Sequence, residues 1–173
     1  MKKFIMLTLF LFIMATGAFA MSIGLGGMYD TINYTGNWDG YTQKGFGGYA
    51  FFGINEFFEF NLGYIDKKDD WDDSTKTLQI GALFKYPIPV FGLFLLYPSI
   101  GIDVEHPVSD WGSDTWYEFW LRGGLGGDFF VTENLFLRGH LNYGVAYPLG
   151  GDFGDGLVFL HGFLVKIALG WRF

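Results

Sequence analysis

The chain has no cysteine, which excludes both a disulfide framework and a thiolate metal site. Basic side chains are few: 11 Lys and Arg stand against 18 Asp and Glu, for a net charge of -7. That surplus of negative charge excludes a polyanionic nucleic acid as a general partner. Beyond residue 20 no stretch is both long and apolar enough for a membrane-crossing helix, which needs roughly 20 apolar residues. His106, His140 and His161 are too scattered for a compact metal motif. Gly24-Leu25-Gly26-Gly27 lacks the following helix and the Lys-Ser/Thr pair of a phosphate loop. No metal or other cofactor is expected.

Residues 1–20 read as a secretory leader rather than as part of the fold. Lys2 and Lys3 give a basic start, an apolar run follows from Phe4 to Met14, and Ala18-Phe19-Ala20 supplies the small-x-small cleavage pattern. The run is too short for a spanning anchor. The expected mature chain, residues 21–173, keeps nine basic against eighteen acidic side chains, and its net charge is -9.

What is present is unusual for a soluble domain. Aromatic residues make up 21% of the chain, apolar residues 50%, and there are 27 glycines, many of them inside the apolar segments. Without helices, a membrane-spanning chain must satisfy its backbone donors and acceptors between strands, and only a closed barrel does so completely. The fold class expected is therefore all-β, an eight-stranded antiparallel up-and-down transmembrane barrel.

The strands fall at 21–31, 41–53, 56–66, 75–86, 92–104, 116–129, 134–147 and 159–173, each long enough to cross a bilayer at barrel tilt, for which about 9–11 residues suffice. The last is the clearest. Phe163, Val165, Ile167, Leu169, Trp171 and Phe173 alternate with Gly162, Leu164, Lys166, Ala168, Gly170 and Arg172, so a period of two separates apolar side chains from charged ones. A helix would mix the two sets. Pro98 is awkward in the middle of 92–104, because it removes a ladder donor; a bulge is expected there. Links at 53–55, 87–91 and 130–133 are short, whereas those at 32–40, 67–74, 105–115 and 148–158 are longer and more polar. This asymmetry places both termini on the periplasmic side and four loops outside the cell. A soluble lipocalin-type barrel is the alternative, but it would have to house rows of large aromatics in its lumen.

The signal peptide, the eight alternating segments, the aromatic strand ends and the terminal run Val165 to Phe173 together resemble the small outer-membrane β-barrel superfamily, which includes OmpA-, OmpX- and OmpW-like proteins. The resemblance spans the whole mature chain. It implies integral residence in a bacterial outer membrane. It also implies that Phe163, Val165, Ile167, Leu169, Trp171 and Phe173 form the insertion signal read by the barrel-assembly machinery, with periplasmic chaperones as transient partners and outer-membrane lipid as the lasting one.

Glu59, Lys85, Glu118, Arg122, Asp128, Arg138, Lys166 and Arg172 are expected to face inward as a charged network, with Asp103 and Glu105 joining near a rim. An eight-stranded barrel is narrow enough for side chains to fill it. Arg122 and Arg138 are each expected to take a carboxylate from a neighbouring strand. Interspersed glycines would make room for them. Trp38, Tyr41, Trp71, Trp111, Trp116, Tyr117, Tyr147 and Phe159 are expected at the outer interface, and Tyr86, Phe91, Phe130 and Trp171 at the periplasmic one.

His161 could act as a base in lipid modification, but no serine accompanies it in its strand and no enzymatic activity is expected. The acidic run around residues 66–73 reads as a solvated loop. The function expected is a compact structural or surface-interaction barrel with a filled lumen, its loops open to an extracellular partner. A narrow pore for small or hydrophobic solutes is the alternative, and an outer-leaflet lipid-modifying enzyme a further one.

Overall fold

The computed structural model describes residues 21–36, 40–71, 73–108, 117–149 and 159–173. The expected leader, Trp38, Trp111, Trp116 and the glycine-rich run at 150–156 lie outside these residues.

The described residues form nine strands: β1 (Ser22–Thr35), β2 (Thr42–Gly53), β3 (Phe58–Asp69), β4 (Ser74–Lys85), β5 (Ile88–Phe91), β6 (Phe94–Pro107), β7 (Tyr117–Phe130), β8 (Leu135–Leu149) and β9 (Phe159–Arg172). Every neighbouring pair is antiparallel. The β1–β9 and β4–β6 ladders close eight of the strands into a ring, and β5 is an addition on β6. Closure leaves the eight wall strands no unpaired edge in a medium that offers no hydrogen bonds.

Alternation explains why these segments are strands. Along all of β8, buried and exposed positions alternate, so that Arg138, His140 and Asn142 turn inward while Leu137, Leu141 and Tyr143 turn outward. The outward surface is an almost unbroken sheath of Phe, Leu, Ile, Val, Tyr and Trp. The lumen holds two apolar groups among its charges. Ile32, Tyr34, Trp120, Ala146 and Leu160 pack at the end with the long connections, hereafter the loop end. Met28, Phe51, Ile65, Phe136 and Leu164 pack from mid-lumen towards the end with the short turns and both chain termini, the turn end.

Two strand-level expectations need correction. The link at 87–91 is not merely a connection, because Ile88–Phe91 forms β5. Nor does Pro98 produce a bulge: the β6–β7 register runs without a shift from Phe94↔Phe129 to Glu105↔Glu118. The N–H and C=O of one residue in an antiparallel ladder point to the same neighbour, and the Pro98 carbonyl accepts the Tyr86 N–H at 3.0 Å. The missing Pro98 donor therefore faces the break between β4 and β5, where pairing passes from Lys85↔Ser99 to Ile88↔Leu96 across Pro87. The one shift along this hairpin lies between Pro89 and Phe91.

Strand parity also moves Phe130. Phe129 is exposed, so Phe130 turns into the lumen and packs on Phe136 instead of standing at the lipid interface. His106, expected in a loop, lies within β6 and stacks on Tyr117 with ring centroids 4.6 Å apart.

Candidate functional site

The lumen carries two charged groups. At the turn end, β3 contributes Glu59, β4 Lys85, β7 Asp128 and β8 Arg138. The Arg138 guanidinium donates from Nε and Nη2 to the two Asp128 oxygens, each at 2.7 Å, and from Nη1 to Glu59. Lys85 donates to the same Glu59 oxygen at 2.8 Å. The planar fork of Arg138 suits two carboxylates at once, and its face rests on the Phe51 ring, 4.2 Å from the centroid. Two anions meet two cations.

The loop-end group is unequal. Arg122 on β7 donates to Glu105 at 2.7 Å and lies 3.0 Å from Asp103 and 3.5 Å from Asp30. Lys67 on β3 pairs with Glu105, with Glu118 at 3.4 Å and with Asp30 at 3.9 Å. Gln79 and the Trp120 indole donate to Glu105 and Glu118 at 2.9 and 3.0 Å. Four carboxylates thus share two paired cations. Asp30 Oδ2, Glu118 Oε1 and Gln79 Oε1 are buried with no hydrogen-bond partner. Among the described residues no group of three or more His, Asp or Glu side chains is disposed to hold a metal ion.

The other expected network members make no ion pair within these two groups, although the charge of Lys166 acts on Asp103 and Arg122. Lys166 is buried on β9 with its ammonium 5.1 Å from the Tyr49 ring centroid. Arg172 is half-buried at the turn end over Phe130, centroid 4.6 Å away. It borders an open groove of about 660 Å³ with Val90, Phe91, Leu93 and Glu133.

Two residues of the loop-end group were not anticipated as members. Lys67 shares inward parity with Glu59, Asn61 and Gly63, a signal hidden by ending the strand at residue 66. Asp30 shares the inward parity of Ser22 on β1, but its partners come from β3 and β7, which no local pattern reveals.

Close approach accounts for two of the inward glycines. A Cβ at Gly81 would overlap the Asp103 carboxylate, and one at Gly126 would overlap the Tyr97 ring.

At mid-lumen, Ser99 Oγ lies 2.8 Å from His140 Nε2, and the Asn142 amide nitrogen lies 3.3 Å from His140 Nδ1. A hydroxyl, an imidazole and an orienting amide are the parts of an acyl-transfer centre. Here His140 and Asn142 are only 6% and 3% exposed, so no substrate carbonyl reaches them while the wall is closed. The triplet fills the lumen with mutually bonded groups. His161 instead points outward, its Nδ1 3.2 Å from the Tyr143 hydroxyl.

A family model described as "Outer membrane protein beta-barrel domain" matches residues 5–173. Among solved structures, the chain is similar to Neisserial surface protein A, with 18% identity over 87% of this chain and 95% of that one, at a TM-score of 0.50. It is also similar to OprG from Pseudomonas aeruginosa, with 16% identity over 91% and 98% of the two chains, at 0.48. The N-terminal β-barrel domain of Pseudomonas aeruginosa OprF gives 15% identity over 86% and 97%, at 0.46. Such identities concern the fold alone. No curated protein matches the chain.

Proposed function

The chain belongs to the outer membrane protein β-barrel domain family, and from that premise we propose that it is a closed scaffold displaying its loops at the cell surface, not an open pore. It is an integral protein of the bacterial outer membrane. In the proposed orientation both termini lie in the periplasm and the loop end faces outward, with Phe163, Val165, Ile167, Leu169, Trp171 and Phe173 serving as the insertion signal.

One observation carries the reading. Arg122 and Arg138, near opposite ends of the lumen, are 1% and 2% exposed despite their full charges. Side chains lining a water-filled passage would be wetted. These are instead sealed among carboxylates and the rings of Trp120, Phe51 and Phe136. A buried charge is tolerable only when paired and hydrogen-bonded, and the pairing itself occupies the passage. With the described lumen filled by these pairings, what the molecule offers its surroundings is its rigid rim and the connections mounted on it.

Planar-bilayer recordings test this. Protein shown to be folded by its heat-dependent gel mobility is expected to leave membrane conductance at baseline; reproducible single-channel steps from the same preparation overturn the scaffold reading. Protease added outside intact cells is expected to cut the loop-end connections and spare the turns.

A further inference from the structure

The apolar sheath is not of even height. On β8 the outward residues from Leu135 to Leu149 are Leu, Val, Tyr and one Gly, and on β7 those from Tyr117 to Phe129 are Tyr, Phe, Leu and Gly. On β1, β2 and β3 the outward apolar runs are only Ile23 to Tyr29, Phe46 to Phe52 and Phe58 to Tyr64. Towards the loop end these give way to Thr31 and Asn33, to Lys44 and Thr42, and to Asp66 and Lys68.

The ladders place these residues in depth. Followed strand to strand from Tyr143, one row passes Phe163, Thr31, Lys44 and Lys68 to Ser74 on β4. In the other direction it passes Gly123 and Ile100 to Phe84 on the same strand. The ring therefore closes with a stagger of ten residues, from 74 to 84. That is about 33 Å along a strand over eight spacings of about 4.8 Å, which tilts the strands by about 40°. At this tilt the fifteen-residue run on β8 covers about 35 Å of depth, and the seven-residue runs on β1–β3 about 15 Å. A barrel's apolar band is about 25 Å tall. Shared evenly among the strands, the stagger brings Thr31, Lys44 and Asp66 within about 5 Å of the depth of Val145, which is exposed on the far side of the seam.

Tilting the whole barrel would raise the belt on one side and lower it on the other, but it would lengthen neither run. Lys44 and Lys68 have long stems that can carry an ammonium towards water. Asp66 and Asn33 have none, and Asp66 is exposed on the wall. We propose that the bilayer is thinner against β1–β3 than against β7 and β8, with lipid headgroups and water drawn down to Thr31, Lys44 and Asp66. Shortening the hydrocarbon costs little for each ångström of mismatch, whereas a carboxylate set into it is expensive. The proposal rests on the membrane placement given above but not on a closed lumen, so conductance that sinks the scaffold reading leaves it standing.

The chain has no cysteine, so T31C and V145C each take one nitroxide label in folded protein reconstituted in phosphatidylcholine vesicles. Collisions with oxygen, which concentrates in hydrocarbon, and with a water-soluble nickel chelate report the depth of each label. The label at 145 is expected to favour oxygen and the label at 31 the chelate, with a chelate-to-oxygen ratio several-fold higher at 31 despite their similar height in the ring. Thr31 Oγ1 accepts the Phe163 N–H at 3.2 Å, so K44C, a change at an exposed position, serves if T31C does not fold. The same preference at both sites overturns the proposal. So does a label at 31 or 44 shielded from both probes, the mark of a second copy or another protein covering the sector.

Discussion

The two ends of the lumen solve one problem with different arithmetic. At the turn end Glu59 and Asp128 are matched by Lys85 and Arg138, and every strong donor has an acceptor. At the loop end Asp30, Asp103, Glu105 and Glu118 crowd around Lys67 and Arg122, leaving three buried oxygens without donors. The first arrangement is neutral and locked. The second carries excess negative charge in a low-dielectric space, so each of its cations supports more carboxylates than it can neutralise. Removing a cation should therefore hurt most at the loop end, whereas removing an acid should hurt most at the turn end.

The largest expected effect is that of Arg122→Met. It strips Asp30, Asp103 and Glu105 of their shared partner and should cost about 5 kcal/mol, the upper range for breaking a buried pair, measured by urea unfolding from lipid vesicles. Arg138→Met should cost about 3 kcal/mol in the same assay, because Lys85 remains beside Glu59. If the two losses come out equal or reversed, charge imbalance is not what separates the two ends.

Next come the acids. Glu59→Gln removes the carboxylate that joins Lys85 to Arg138 and should destabilise by about 2 kcal/mol. Glu118→Gln keeps an oxygen for the Trp120 indole, relieves the acid excess, and should change stability by less than about 1 kcal/mol in either direction. A destabilisation by Glu118→Gln as large as that by Glu59→Gln would dissolve the distinction. Ser99→Ala, which lies between the two groups, should fall between these two acids in the same assay and cost about 1 kcal/mol for one lost hydrogen bond to His140.

Much of the wall could be read along the chain because its cause is local. Side-chain parity alone assigns Leu169 outward and Lys166 inward, and the eight wall strands follow from repeating that rule. Parity also implied that Phe130 is inward once Phe129 is outward, but an aromatic at a strand end was read as an interfacial one. The strand ends were less legible: β3 runs on to Asp69, and cutting it short at residue 66 concealed Lys67. Pro98 lacks a donor wherever it stands, but which neighbour the gap faces is set by pairing, which the segment itself does not carry. The pairings of the lumen were legible only between adjacent strands, where Arg122 takes Asp103 and Glu105 from β6. Arg138 meets Asp128 on the adjacent strand, which parity and adjacency allow, but it also meets Glu59 from β3 on the far side of the ring. That contact depends on how far successive strands are staggered round the barrel, a property of the closed ring that no single segment encodes.

The seam between the first and last wall strands is as continuous as any other. Fourteen residue pairs link β1 to β9, from Ser22↔Arg172 to Thr35↔Phe159, and the Phe173 N–H reaches the Met21 carbonyl at 2.9 Å. The ring therefore has no mechanical beginning. A circular permutant, with residue 173 joined to residue 21 and new ends opened in the turn at 131–134, keeps all the ladders while carrying Phe173 into the middle of the chain. Such a molecule should refold in detergent micelles as readily as the parent. Its fate in living cells would then separate what the barrel needs to stand from what its builders need to recognise.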